Sequence, residues 1–523
     1  MMTSISDRGN TQIPHLSKQG SATQLIVNGQ PFLVLGGELH NSSSSHLGYM
    51  RPIWERLVAL NLNTVLTPVS WELIEPEEGH FDFSLVDGLI QEARRHELHL
   101  IFLWFGSWKN GMSSYVPVWV KQDYRRFPRV KRQDGQSIEV LSTFAEANWR
   151  ADARAFAALM RHIRAVDGDE HTVIMMQVEN EVGILGDSRD RSEAAQRAFA
   201  DQVPEALLTQ LQQHRPELGI ELRQAWEAGG SKTTGSWQEI FGSGAQTDEI
   251  FMAWHYARYV DHVAAAGKAE YALPMFVNAW LNAPQFQPGQ WPSGGPLPHS
   301  LDLWRAGCPH IDFLSPDIYF DNFQDWCQRY TRRNNPLFIP EMRRGDECAP
   351  NFFYAIGAHD AIGTSPFAID SIEQPADSTL SKSYRVLRQI APLILAHQGR
   401  GEIIGFQLNE EHPRMVRELG DYELEITLDQ SFGASAKDGY GLLMTDGPNH
   451  FIGAGYGFQV GFRPITPGPA LAGIAAVDEG EYHQSRWVMT RRLNGDETNQ
   501  GQRWRFSFTQ PLSIEHCSVY RYE

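Results

Sequence analysis

The sequence predicts an α/β fold, a (β/α)8 barrel of the TIM type followed by a C-terminal all-β, sandwich-like domain. Three observations predict it. Between about residues 23 and 400, short apolar runs alternate with helix-length stretches of helical periodicity, the rhythm of a parallel barrel. No Gly-rich dinucleotide turn follows the first of these strands, which disfavours an open doubly wound sheet. After about residue 400 the helical pattern stops, and β-rich pieces between turn residues take over. The expected organisation is therefore an N-terminal extension (1–22), a barrel (23–400) and a β-rich C-terminal domain (401–523).

The elements follow in order. "TQLIVNGQPFLVLGGE" (23–38) reads as a hairpin turning at Asn28-Gly29. "FLVLGG" (32–37) is the first barrel strand and precedes a helix at about 48–61. "NTVLTPVS" (63–70) is the second, followed by a helix from Ser84, where Ser84 and Asp87 form an approximate capping pair. "LHLIFLWF" (98–105) is the third and leads through a long loop to a helix at about 146–166. "TVIMMQV" (172–178) is the fourth. The helical region after it is interrupted by a Gly/Ser-rich segment (228–247) that reads as a surface insertion. "LPMFVNAW" (273–280), "IDFLSPDIY" (311–319), "PLFIPE" (336–341) and "IGTSPFAI" (362–369) are strands five to eight, and a helix at about 380–398 closes the series.

Composition narrows the function. The 523 residues include 63 Asp and Glu against 45 Lys and Arg, a net charge of −18. A surface this acidic suits neither nucleic acid nor an anionic membrane, and a neutral substrate fits best. Cys308, Cys327, Cys348 and Cys517 match no metal or redox spacing and read as buried free thiols. No run of about 18 apolar residues occurs, so no membrane-spanning segment is expected. The start "MMTSISDRGN" has neither a basic nor an apolar leader region, so no signal peptide is visible. This favours a cytoplasmic protein if the N-terminus is complete, and a periplasmic or secreted one if a leader has been removed. A homo-oligomer is compatible with the sequence.

In a (β/α)8 barrel the chemistry gathers at the C-terminal ends of the strands. The polar residues there are Glu38 and His40, then Ser70, Trp71 and Glu72, then Trp104, Ser107 and Trp108. Glu179, Asn180 and Glu181 follow the fourth strand, Asn278 and Trp280 the fifth, Asp317 and Tyr319 the sixth, and Glu341 the seventh. Carboxylates, amides and indoles without a histidine cluster suit a sugar. Ring faces stack on the C–H faces of a pyranose, and breaking a glycosidic bond needs a proton donor and a second carboxylate at the anomeric carbon.

Four stretches then carry a resemblance. "QVENEVG" (177–183) is similar to the acid/base motif of glycoside hydrolase family 35, the β-galactosidases, and "FIPEM" (338–342) to that family's nucleophile strand. "TPVSWELIEPEEGHFDF" (67–83) and "GGELHNS" (36–42) resemble its second- and first-strand motifs. The β-rich tail resembles the extra C-terminal domain of a bacterial branch.

The resemblance implies Glu181 as acid/base, Glu341 as nucleophile and Asn180 as a ligand of the sugar 2-hydroxyl, with no metal or organic cofactor. Glu179 then either orients its neighbours or bonds a hydroxyl. Glu38, His40, Trp71, Glu72, Trp104, Trp108, Asn278, Asp317, Tyr319 and Arg343 complete the expected substrate contacts. Arg343, Tyr319 and Asn278 are the candidate hydrogen-bond donors to Glu341.

The chain departs from the family pattern at Pro68, at Ser107, where a sugar-binding glutamate is usual, and at Arg343, where tyrosine is usual. The expected activity is a retaining exo-β-galactosidase, with plant cell-wall side chains such as those of xyloglucan as a candidate substrate. The alternatives are a β-glucosidase or β-mannosidase of the same clan, and a catalytically silent carbohydrate-binding protein. The aromatic side chains Trp71, Trp104 and Trp108 read equally as sugar walls or core. His40 reads as structural or as part of the site. Trp487, Trp504 and Phe506 read as sandwich core or as a carbohydrate-binding face.

Overall fold

The computed structural model describes residues 12–332, 334–431 and 434–523. Residues 1–11 of the expected N-terminal extension lie outside them. Pairing begins inside that extension: His15–Gln19, Ala22–Val27 and Gln30–Phe32 form a three-stranded antiparallel sheet. Its second turn is Asn28-Gly29, with φ of 51° and 73°. Two successive left-handed residues are what a tight two-residue hairpin requires.

Eight parallel strands form the barrel in sequence order: Val34–Glu38, Thr64–Ser70, His99–Lys109, Val173–Asn180, Met275–Trp280, Phe313–Ile318, a split seventh strand, and Gly363–Thr364. The split falls at Pro340. Phe338–Ile339 pairs with the eighth strand, and Glu341–Met342 pairs with the sixth. A proline has no N–H to give either neighbour, so the strand changes partners across it. The eighth strand pairs with the first, which closes the ring. The strands are continuous apolar runs because helices cover one face and the barrel interior the other. Leu66, Ile101, Ile174, Phe276, Phe313 and Phe338 fill that interior together with Leu25 and Val27 of the N-terminal sheet.

The helices match the expected periodicity with local differences. Pro52 divides the first into Leu47–Met50 and Ile53–Ala59. The Ser84–Asp87 cap does not form: Asp82 Oδ1 accepts the Ser84 N–H at 2.9 Å, and Asp87 bonds His162 at 2.6 Å. The Gly/Ser-rich segment is not a bare surface loop. A capping box between Ser236 and Glu239 starts the short helix Trp237–Phe241, whose Trp237, Ile240 and Phe241 are buried.

The C-terminal part is a two-sheet sandwich. One sheet has six strands, ordered Ile403–Asn409, Asp438–Thr445, His450–Tyr456, Ser513–Tyr522, Leu471–His483 and Arg486–Leu493. The other has four, Arg414–Leu419, Tyr422–Leu428, Phe458–Pro464 and Trp504–Phe506. The stretch "GAGYGFQVGF" breaks at Gly457 into strands of different sheets. Phe406, Phe451, Val477 and Cys517 meet Leu424, Ile426, Phe458 and Trp504 between the sheets. Trp504 and Phe506 are thus sandwich core.

The other face of the larger sheet packs on the barrel. Leu442, Met444, Ile452 and Ile514 share a cluster with Phe353, Ile356, Leu387 and Ile390 of the last two barrel helices. Trp487 lies at this junction, its ring tilted against His516 with centroids 4.0 Å apart. The approach is closest at two glycines: a Cβ on Gly405 would lie 2.4 Å from Phe353 O and 2.8 Å from Gly357 Cα. All four cysteines are buried and unpaired. No helix among the described residues is long and apolar enough to cross a membrane.

Candidate active site

The fourth strand ends in an irregularity that builds the site. Glu179 and Glu181 have φ of 62° and 46°. For residues other than glycine this left-handed region is strained, at about 1–3 kcal/mol each. The strain breaks the in–out alternation of a strand, so the carboxyls of Glu179 and Glu181 serve different neighbourhoods.

Glu181, Asp317 and Glu341, from three strand ends, converge: each offers an oxygen within 4.8 Å of the other two. Asn180 Nδ2 donates to Glu341 Oε1 at 3.4 Å, and the Tyr319 hydroxyl donates to Glu341 Oε2 at 2.9 Å. Asn278 ties the group together, with its Oδ1 accepting the Glu181 N–H at 3.0 Å and its Nδ2 donating to Asp317 Oδ2 at 2.7 Å. Glu38, from the first strand, is fully buried beside Glu341. Neither of its oxygens has a hydrogen-bond partner, nor has Asp317 Oδ1 or Asn180 Oδ1. These unmatched buried polar atoms suit a ligand rich in hydroxyls, which both donate and accept.

Electrostatics assigns the protons. Burial, and then the charge of Glu341, pushes Glu181 up to about 7. Burial and then Glu341 push Asp317 and Glu38 well above the carboxylate range. Burial and then Glu341 also raise Tyr319, which keeps its phenol a donor.

Two residues that the sequence reading overlooked belong here. Asn110 Nδ2 donates to Glu181 Oε2 in a short hydrogen bond. Lys109, opposite Asn180 in the strand pairing, is 5% exposed, with Nζ 5.1 Å from the Phe105 ring centroid. Burial disfavours its charge, but the fields of Glu341, Glu181, Glu38 and Asp317 outweigh that and raise its pKa. The signal was the length of strand three, which runs on to Lys109 past the apolar stretch. The three clustered carboxylates have a spacing that a cation could bridge, but the Lys109 ammonium already supplies positive charge to them.

Several expected contacts lie elsewhere. Glu179 points behind the site, accepting the Trp108 N–H at 2.7 Å. Burial and then Asp152 push Glu179 well up, so it holds a proton against that aspartate. Asp152 in turn accepts from Trp104 Nε1 at 2.9 Å and from the Ser107 hydroxyl at 2.5 Å. Gly106 makes room for this acid pair, since a Cβ there would lie 2.7 Å from Glu179 Oε1 and 2.9 Å from Asp152 Oδ1.

Trp104 and Trp108 are fully buried, against Phe156 and against Tyr256 and Tyr259 respectively. Trp71 is fully buried too, edge-on to Trp119 and donating to Glu75 Oε2 at 2.8 Å. None of the three indoles has a face free for a sugar. Glu72 sits on the helix after strand two and pairs with Lys121 at 3.5 Å. Arg343 is half exposed and pairs with Asp321 at 2.7 Å rather than with Glu341. His40 is exposed and bonds the Ser371 hydroxyl at 2.6 Å. Trp280 is 42% exposed, two residues along the strand from Asn278 and so on the same side of it.

A closed (β/α)8 barrel in which carboxyl groups converge at the C-terminal strand ends has the groups that hydrolysis of a glycosidic bond needs. Residues 24–219 match the family model described as Glycosyl hydrolases family 35, which bears out the resemblance carried by the strand motifs over that stretch. Residues 380–505 match a domain of unknown function (DUF5597). A curated β-galactosidase of Xanthomonas manihotis is 29% identical over 181 residues, 33% of this chain and 27% of that protein. The chain therefore spans about a quarter of the length of that curated relative.

Solved structures are more distant. The β-galactosidase of Rahnella sp. R3 has a TM-score of 0.48 at 15% identity over 69% of this chain and 57% of its own. That of Bacillus circulans sp. alkalophilus has 0.47 at 14%, over 69% and 57%. Likenesses of this size add nothing to what the strands themselves show of the fold.

Proposed function

We propose that the protein is a retaining, exo-acting β-galactosidase that releases terminal β-galactosyl units. The observation that carries the reading is the approach of Glu181 and Glu341, whose oxygens lie within 4.8 Å. Carboxyl groups about 5–5.5 Å apart leave no room for a water between them and the anomeric carbon, so one of them must attack it directly.

Glu341 is the nucleophile, oriented by Asn180 and Tyr319. Its carboxylate oxygen bonds to the anomeric carbon as the glycosidic C–O bond breaks. Glu181, protonated near neutrality because burial and Glu341 raise it to about 7, gives its proton to the leaving oxygen. The resulting ester neutralises Glu341, and its field no longer holds a proton on Glu181. Glu181 then takes a proton from water, the oxygen of that water attacks the anomeric carbon, and Glu341 leaves as a carboxylate. Asn110 and Asn278 hold the segment that carries Glu181. Glu38, Asp317 and Asn180 offer their unmatched polar atoms to sugar hydroxyls.

One observation favours a second reading within the same clan. At the end of strand three the Ser107 hydroxyl is consumed by Asp152 and Tyr259, and the buried Lys109 follows with its Nζ over the Phe105 ring. This altered edge suits another β-glycoside. A panel of aryl β-galactoside, β-glucoside and β-mannoside separates the two: phenol release fastest from the galactoside supports the first reading, and a faster β-glucoside or β-mannoside the second. Glu341→Gln should lower the rate by about 10³-fold or more, and a rate near that of the parent would refute the assigned role. Plant cell-wall side chains such as xyloglucan remain the candidate natural substrate, and a clear preference for lactose over xyloglucan oligosaccharides would count against them.

A further inference from the structure

The helix Ala245–Glu270 opens with two buried acids that no step of the mechanism uses. Asp248 and Glu249 are 8% and 3% exposed. A buried carboxyl persists only with hydrogen-bond donors around it, and the donors here come from two particular loops.

Asp248 draws its donors from the loop that follows Glu181. Its Oδ1 accepts from Arg189 Nε at 2.9 Å. Its Oδ2 accepts from Arg191 Nη2 at 2.8 Å and from the Ser188 hydroxyl at 2.7 Å. Glu249 draws its donors from the loop after strand five. Its Oε1 accepts from Trp291 Nε1 at 2.7 Å and from the Gly294 N–H at 3.4 Å, and its Oε2 lies 2.8 Å from His299 Nε2.

These two loops are joined to each other. Ile184 and Ser293 exchange both backbone hydrogen bonds at 3.0 Å, and the Gly186 N–H donates to Gly289 O at 2.8 Å. The contact is close enough to need glycine. A Cβ on Gly183 would lie 2.2 Å from Pro292 C, and one on Gly295 would lie 2.7 Å from Val182 O. Asp248 thus holds the far end of the Glu181 loop directly, and Glu249 holds the surface on which its near end is laid.

Glu181 needs such support. Its left-handed backbone is strained, and strain of this kind persists only where the surroundings over-determine it. Residues 182–187 belong to no helix or strand, so contacts with their neighbours set their course.

We propose that Asp248 and Glu249 are positioning residues for the acid/base, a clamp that fixes the loop beyond Glu181 and so aims its carboxyl at the glycosidic oxygen. The part played in the reaction rests on the glycosidase reading above. The fixing of the loop does not.

A misaimed acid has a signature that a loss of folded protein lacks. Proton donation matters most when the leaving group is poor and least when it departs unaided. A smaller folded fraction lowers both rates alike. The test compares kcat/KM for phenyl and 2,4-dinitrophenyl glycosides of the sugar that the parent cleaves fastest, with the parent, D248A, E249A and E249Q. E249A should lose about 30-fold on the phenyl glycoside and less than about threefold on the dinitrophenyl one. D248A should shift the two rates in the same sense. E249Q keeps an acceptor for Trp291 and should stay within about threefold of the parent on both substrates.

Equal losses on the two substrates, or none, overturn the proposal. If E249A does not fold, W291F removes one donor from Glu249 and the same difference between substrates decides. Failure of D248A, E249A and W291F all to fold also overturns it, since the two acids would then serve the whole fold rather than the aim of one side chain.

Amide hydrogen exchange needs no turnover. Exchange in the peptide 181–192 should quicken in D248A and E249A while the barrel strands stay as in the parent, and unchanged exchange there overturns the clamp. A parent that cleaves no glycoside but shows this local quickening in the variants counts against the function and supports the clamp.

Discussion

Glu181 and Glu341 come from the fourth and seventh strands, and their carboxyl oxygens lie within 4.8 Å of each other, with Asp317 completing a triangle. Two buried acids at this distance divide their protons unequally. Asn180 and Tyr319 donate to Glu341, while burial and then the charge of Glu341 raise Glu181 and leave it the proton.

The first expectation is the pH profile. Glu181, up at about 7, acts as an acid only while protonated, so kcat/KM for an aryl β-galactoside should fall above about pH 7. The same shift has a sign for stability. The folded state keeps this proton beyond the ordinary carboxylate pKa of 4.5, so the stability it contributes is full below 4.5 and declines as pH rises to about 7. Glu181→Gln should remove the alkaline limb and spare substrates with good leaving groups most. A profile unchanged in that variant would place the proton donor elsewhere.

Trp71 distinguishes core from sugar wall. Trp71→Phe removes a buried hydrogen bond to Glu75 and part of an indole packed on Trp119. The expected cost is about 1–3 kcal/mol of stability, with KM within about twofold of the parent if the ring never touches substrate. Calorimetry and steady-state kinetics on one preparation check both numbers, and a large KM change with unaltered melting would reverse the assignment.

Trp280 offers the opposite case. It is 42% exposed on the side of strand five that carries Asn278. An exposed indole at the mouth suits the sugar beyond the scissile bond. Trp280→Ala should raise KM for oligosaccharides by roughly tenfold and leave simple aryl glycosides nearly unaffected. Equal effects on both substrate types would contradict a role in holding the leaving sugar.

Glu515 lies far from the acids, inside the sandwich, bonded by Trp504 Nε1 at 2.8 Å and by the Ser513 hydroxyl at 3.1 Å. Burial pushes it up to about 8. The folded sandwich therefore holds a proton that the unfolded chain releases near 4.5, and stability drains away as pH rises from 4.5 to 8. Glu515→Gln preserves the bonds without the charge. It should match the parent at pH 5 and melt several degrees higher at pH 9. Parallel melting curves at the two pH values would show that the carboxyl is not the source of the drift.

Much of this architecture was legible in the sequence. The eight barrel strands were readable because parallel strands, covered on both faces, are unbroken apolar runs. Glu181 and Glu341 stood out because a carboxylate at the end of such a run needs a use. The indoles were not legible. Trp71, Trp104 and Trp108 occupy strand ends, but facing there depends on local breaks in alternation, such as the left-handed Glu179, that no period reveals. Lys109 and Asn110 were hidden because strand three continues through polar residues to Lys109. In the sandwich, Leu471–His483 and Arg486–Leu493 escaped notice because neither shows a clean apolar alternation: the first is rich in Ala and Gly and ends in acids, and the second is mostly exposed.

The pair Gly357 and Gly405 has a further consequence. Where backbone touches backbone, the larger sheet is in effect an outer layer of the barrel wall, and the match to the second family model begins at residue 380, inside the last barrel helix. A gene cut after His397 would strip that wall and expose Phe353, Ile356, Leu387 and Ile390 to water, so such a fragment would be sticky and prone to inclusion bodies. Evolution would then have to trade the helix and the sheet together, as one cassette.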